Sequence, residues 1–135
     1  MSKTPDNRLF ELFGEPISIY TRAQALEDGT LVDVSRMARE AGFRVPVAVT
    51  CALWGDIKAI PADVSWQSLA GRLWDVLWMA YLATRRANGS QVTVTLFRVP
   101  RDGSSRSSQA AKLQMHIGPG DQGEPVITIM MPGED

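Results

Sequence analysis

The spacing of apolar positions changes at Gly89. Before it lies the longest apolar segment, SWQSLAGRLWDVLWMAYLATRRAN from Ser65 to Asn88, which holds three of the four tryptophans, Trp66, Trp74 and Trp78. At about 100° per residue, Leu69, Leu73, Val76, Leu77 and Ala80 share one arc, and Gln67, Ser68, Gly71, Arg72 and Asp75 lie opposite. The pattern predicts one helix within a few residues of Gln67 to Ala87. Ser65 caps its start, Arg85 and Arg86 complement the dipole in its last turn, and Asn88-Gly89 supplies a left-handed stop. Beyond Asp75 the polar arc is continued by Trp78, Met79 and Leu82. The second half is therefore apolar all round and needs cover from its own chain or another.

After Gly89 the period becomes two. Val92, Val94 and Leu96 alternate with Thr93, Thr95 and Phe97, and Leu113, Met115 and Ile117 alternate with Lys112, Gln114 and His116. A third β run, Val126 to Met131, follows the turn cluster Gly118-Pro119-Gly120-Asp121. Polar turns between such runs predict an antiparallel meander with strands centred on Val94, Met115 and Ile129. The tip of the first hairpin, residues 100–109, is too hydrophilic to bury and is expected to be flexible.

The N-terminal part reads as short units. Asn7 caps a turn, RLFELF, whose Leu9, Phe10, Leu12 and Phe13 need cover, so residues 1–13 are expected to dock on the body near Trp78 and Leu82. Ile17 to Tyr20 and Thr30 to Val34 read as strands. Thr21 and Gln24 have capping-box spacing, and Ser35 caps a helix stopped by Gly42. Pro46 fits the first turn of a helix, and VAVTCALWGDI is read as that helix, ended by Pro61. The expectation is one α+β domain over residues 1–135: a central long helix packed on a three-stranded antiparallel C-terminal sheet, with short α/β units before it.

Composition narrows the class. With 44% apolar and 21% charged residues and a net charge of −1, the chain is an ordinary globule and not a protein coated in basic residues. One cysteine excludes an intrachain disulfide and fits a reducing cytoplasm, and MSKTPDNRLF has no apolar signal core. The run Val76 to Ala83 is too short to span a bilayer, which needs about 20 residues. Charge is uneven: residues 85–112 carry six basic residues against Asp102, a net +5, and the rest carries eight against fourteen, a net −6.

Four segments together resemble a known family: IYTRAQALEDGTLVDVS (Ile19 to Ser35), AGFRVPVAVTCALW (Ala41 to Trp54), RLWDVLWMA (Arg72 to Ala80) and GPGDQGEPVITIMMPGED (Gly118 to Asp135). The family is an uncharacterised one of small bacterial proteins on plasmids, prophages and integrated elements, often called plasmid-related. The resemblance implies an accessory protein of a mobile element in the bacterial cytoplasm. It implies no activity, cofactor or catalytic residue.

No catalytic motif stands in the chain. Gly118-x-Gly120-x-x-Gly123 has dinucleotide-loop spacing but opens no helix, so it reads as a turn. Cys51, in an apolar stretch, reads as inert packing, and His116, on the polar face of its strand, lacks an orienting third group for a dyad. Asp75 is placed to pair with Arg72 in a solvated contact. No ligand spacing recurs for a metal, and no cofactor is implied.

Two functional readings follow. The first is a non-catalytic protein that binds a protein partner or a second copy of itself through Trp78, Met79, Leu82, Phe10 and Phe13, a host defence component being one such partner by analogy. The alternative is a nucleic-acid accessory protein whose Arg98, Arg101, Arg106 and Lys112 track phosphates from the Ser/Arg-rich hairpin. A membrane partner is not expected.

Overall fold

The computed structural model describes residues 20–59, 68–98 and 109–134. Among them are four helices, α1 (Arg22–Asp28), α2 (Ser35–Ala41), α3 (Cys51–Lys58) and α4 (Leu69–Thr84). The strands are β1 (Leu31–Asp33), β2 (Val47–Thr50), β3 (Gln91–Arg98), β4 (Gln109–Pro119) and β5 (Pro125–Met130). The fold is α+β. The RLFELF segment with Phe10 and Phe13, the run Ile17 to Ile19, Ser65, Trp66, Pro61 and the hairpin tip with Arg101 and Arg106 all lie outside the described residues.

The antiparallel meander β3–β4–β5 is present, with Val94 opposite Leu113 and Met115 opposite Ile129. It is not the whole sheet, as the three-stranded expectation had it. Five strands pair in the order β1-β2-β5-β4-β3, and β2 runs parallel to β5, with Val49 beside Ile129. The sheet is therefore mixed. Of the two added strands, β1 falls in the expected strand Thr30 to Val34, and β2 comes from a stretch expected to be helical. Residues 47–50 form β2, a buried β-branched strand, and the chain turns into α3 at once, because the Thr50 side chain accepts a hydrogen bond from the Leu53 amide as an N-cap. Pro46 accordingly opens a strand and not a helix, and its carbonyl accepts from the Ile127 amide at 2.9 Å.

Local chemistry explains the other boundaries. Thr21 and Gln24 complete the expected capping box at α1, and Gly29 ends it at φ 88°. Ser35 does not cap α2. Its hydroxyl instead accepts from the Val47 amide at 2.9 Å, which ties α2 to β2. The central helix is shorter than expected: its cap is Ser68, which accepts from the Gly71 amide at 2.9 Å, and Arg85 and Arg86 follow its end rather than lie in its last turn. Gly89 is not left-handed: among the described residues the positive-φ glycines are Gly29, Gly42, Gly123 and Gly133. The cluster Gly118 to Gly123 closes the β4–β5 turn, with the Gly120 amide donating to the Glu124 carbonyl.

Alternation sorts the sheet into two faces. Val32, Val49, Ile129, Met115 and Val92 stand in one cross-strand row on the core face. The helices α2, α3 and α4 cover this face, burying Leu53, Ile57, Leu77 and Ala80 against it. The opposite face is covered unevenly. At its β2–β5 side sits α1, where Arg22 donates to the Thr128 hydroxyl at 2.7 Å and the Ile127 carbonyl at 2.8 Å. Asp121, from the β4–β5 turn, accepts from the Arg22 and Ala23 amides and so fastens the start of α1. The β3–β4 side carries Thr93, Thr95, Phe97, Lys112 and Gln114, with no described helix packed on it.

Candidate functional site

The helix α4 carries two features that its sequence pattern does not lead one to expect, and they adjoin. Along one stripe, Trp74, Trp78 and Tyr81 form an aromatic ladder. The Trp74 and Trp78 rings lie 6.2 Å apart and nearly parallel at 7°, and Trp78 and Tyr81 lie 6.0 Å apart at 30°. Spacings of four and three residues put these side chains on successive turns, which is why they stack. Tyr81 is fixed from below. Phe43 meets its ring edge-on at 5.6 Å, and Gly42 leaves the space the ring occupies, since a Cβ there would lie 2.7 Å from the ring. The middle of the ladder is bare: Trp78 is 41% exposed. Met79 and Leu82, expected to share its surface, are half-buried, and Met79 packs against the core. Of the expected contact residues, then, the structure brings Trp78, Met79 and Leu82 together on α4, and sequence reasoning missed Trp74 and Tyr81 as partners. The i, i+4, i+7 spacing was the available signal.

The second feature begins where the ladder does. Trp74 also walls a cavity of about 550 Å³ between α3, α4 and the β3–β4 hairpin. Leu53 and Ile57 from α3, Leu96 from β3 and Leu113 from β4 supply its apolar lining, and Arg72, Asp75, Asp56 and Arg98 supply charge. Arg98 forms an ion pair with Asp56, and burial lowers the Arg98 guanidinium below its usual pKa. Arg72, placed by the helical pattern on a solvated arc beside Asp75, is instead 7% exposed. Among the described residues it makes no ion pair with Asp75. Its Nη2 donates to the Ala59 carbonyl over a long 3.4 Å, and its Nε and Nη1 have no hydrogen-bond partner. Partial burial raises the pKa of Asp75 above the ordinary carboxylate value.

The remaining candidates separate in space. Arg98 sits at the end of β3 against α3, and Lys112 stands on the outer face, where no described helix packs, opposite Thr95 and two register positions from Phe97, which is 68% exposed. Cys51 was expected to be packed but is exposed, because it is the first residue of α3 and precedes the buried positions Leu53 and Ile57. His116 is half-buried opposite Thr128, which in turn pairs with Ala48, so β5 and β2 stand between it and the chain that leads to Cys51. No group of three or more His, Cys, Asp or Glu among the described residues is placed to hold a metal. No described helix is long and apolar enough to cross a membrane.

The sequence profile of a family of unknown function, DUF6573, matches residues 7–135, and the chain belongs to that family. No curated protein and no solved structure matches it significantly.

Proposed function

We propose that this chain, a member of the DUF6573 family, is a non-catalytic binding protein whose contact surface is the aromatic ladder of α4, with a second copy of the chain as its partner. The observation that carries this reading is Trp78, 41% exposed yet stacked between two rings. A stacked tryptophan is already ordered, so burying it in a contact costs little side-chain entropy. Trp, Tyr and Met are the side chains that interface centres favour. A single helical stripe is also self-complementary across a two-fold axis, the commonest symmetry of soluble oligomers.

The wider setting we propose is that of an accessory protein of a plasmid or prophage, acting in the bacterial cytoplasm. What supports it is the resemblance of the four segments. A host defence component is the partner to test if the chain does not pair with itself.

One observation favours the nucleic-acid reading in second place. Phe97 and Lys112 stand on the β3–β4 face on which no described helix packs, and an exposed ring near a cation suits stacking on a base next to a phosphate. The Arg98–Asp56 pair weakens it, since that guanidinium is already neutralised.

Light scattering behind a sizing column separates the two readings, with the protein alone over a range of concentrations and then with single-stranded DNA or RNA at two salt concentrations. Self-association through the ladder gives a dimer mass that salt leaves intact, because the contact is apolar. The nucleic-acid reading gives a monomer that shifts with nucleic acid at low salt and is released at high salt.

A further inference from the structure

We infer that the cavity between α3, α4 and the β3–β4 hairpin is a binding site for a small organic monoanion, a carboxylate with an apolar body, held by the Arg72 guanidinium. An arginine does not shed its proton when buried. At 7% exposure Arg72 therefore keeps its charge out of water, and its Nε and Nη1 make no hydrogen bond among the described residues. Native structures rarely leave buried donors unsatisfied, and a buried cation without a counter-charge is costlier still. A ligand carboxylate oxygen is the acceptor that best offsets both, through a charge-assisted hydrogen bond.

The rest of the cavity selects among anions. The charged groups of the lining, Arg72 and Arg98 against Asp56 and Asp75, cancel, and Arg98 is taken by Asp56, so the unfilled donors of Arg72 are the one place for a ligand charge and a second charge would find no cation. That balance fits a monoanion and disfavours a phosphate monoester, which carries close to two charges near neutral pH. The lining from Leu53, Ile57, Leu96 and Leu113, with Trp74 at one wall, fits an apolar body. A volume of about 550 Å³ lies within the range that small-molecule sites occupy.

This site is independent of the ladder contact, although Trp74 borders both. Its test uses 4-phenylbutyrate and the uncharged 4-phenylbutyramide, titrated into the full chain by calorimetry and followed by tryptophan fluorescence. The carboxylate should bind at least about tenfold more tightly than the amide, as a charge-assisted bond requires. Arg72→Met, which removes the buried charge and keeps the volume, should abolish that preference while the circular dichroism spectrum is unchanged. Should Arg72→Met fail to fold, Asp75→Asn decides, because removal of the neighbouring negative charge should strengthen the preference for the carboxylate. Equal binding of the two probes to the wild type, saturable binding of neither, or a preference that survives in Arg72→Met would overturn the assignment.

Discussion

Arg72 and Trp78 lie less than two turns apart on α4, and each has the environment the other's chemistry would predict. The cation is 7% exposed and the indole 41% exposed. By helical phase the two stand about 120° apart, and Arg72 lies one turn before Val76 and two before Ala80, at the edge of the stripe that is buried as its pattern requires. The difference between the two ends lies in their neighbours. At the first turn, α3 and the β3–β4 hairpin close over the arc and enclose Arg72. Farther along, Trp78 is flanked by the Trp74 and Tyr81 rings and stays exposed. Places where residue chemistry contradicts its surroundings at a cost in stability are where natural proteins keep their function. Here two such places share one helix.

The adjacent residues Leu77 and Trp78 should differ most, because one is core and the other is exposed. Leu77 is fully buried, and Leu77→Ala should cost about 2–5 kcal/mol in denaturant unfolding. Trp78→Ala should cost less, about 1–3 kcal/mol, the worth of its two stacked aromatic pairs. Equal losses at the two positions would mean that Trp78 is core. Arg72→Met is next: it replaces an unpartnered buried charge by an apolar side chain of similar length, and should raise stability by about 1 kcal/mol. A clear loss of stability would show that Arg72 is well paired in the free protein. The smallest effect belongs to Asp75, whose pKa partial burial raises, so the folded state holds this proton more tightly than the unfolded chain does. Its contribution to stability is therefore favourable below the unfolded carboxylate value, about 3.9, and is lost as pH rises through the folded value. Asp75→Asn should raise the melting temperature slightly at pH 7 and leave it unchanged at pH 3.

Much of the frame was legible because it is local. The change from helical to alternating period at Gly89 located α4 and the meander, and Thr21 with Gln24 marked the start of α1. What escaped was non-local or abrupt. The parallel pairing of Val47 to Val49 with Ile127 to Ile129 joins segments about eighty residues apart, and no period encodes it. A strand that turns into a helix at Thr50 with no intervening loop leaves one continuous apolar run, which reads as a single element. The β-branched Val47, Val49 and Thr50 followed by helical spacing at Leu53 and Ile57 held the signal for the break. The candidate site was half legible: Trp78, Met79 and Leu82 stood out by phase. The burial of Arg72 did not stand out, because its charge set it on the polar arc although its spacing of four and eight residues to Val76 and Ala80 places it at the edge of the buried stripe.

The most direct test of the ladder as a contact surface is the solution mass of the wild type and of Leu82→Arg at matched concentrations, with folding followed by circular dichroism. Leu82 is half-buried beside the ladder on α4, and an arginine there would place an unpaired charge in the contact. Self-association through the ladder gives a wild-type dimer and a folded Leu82→Arg monomer. A wild type that stays monomeric at every concentration, or a Leu82→Arg chain that still dimerises, would contradict it.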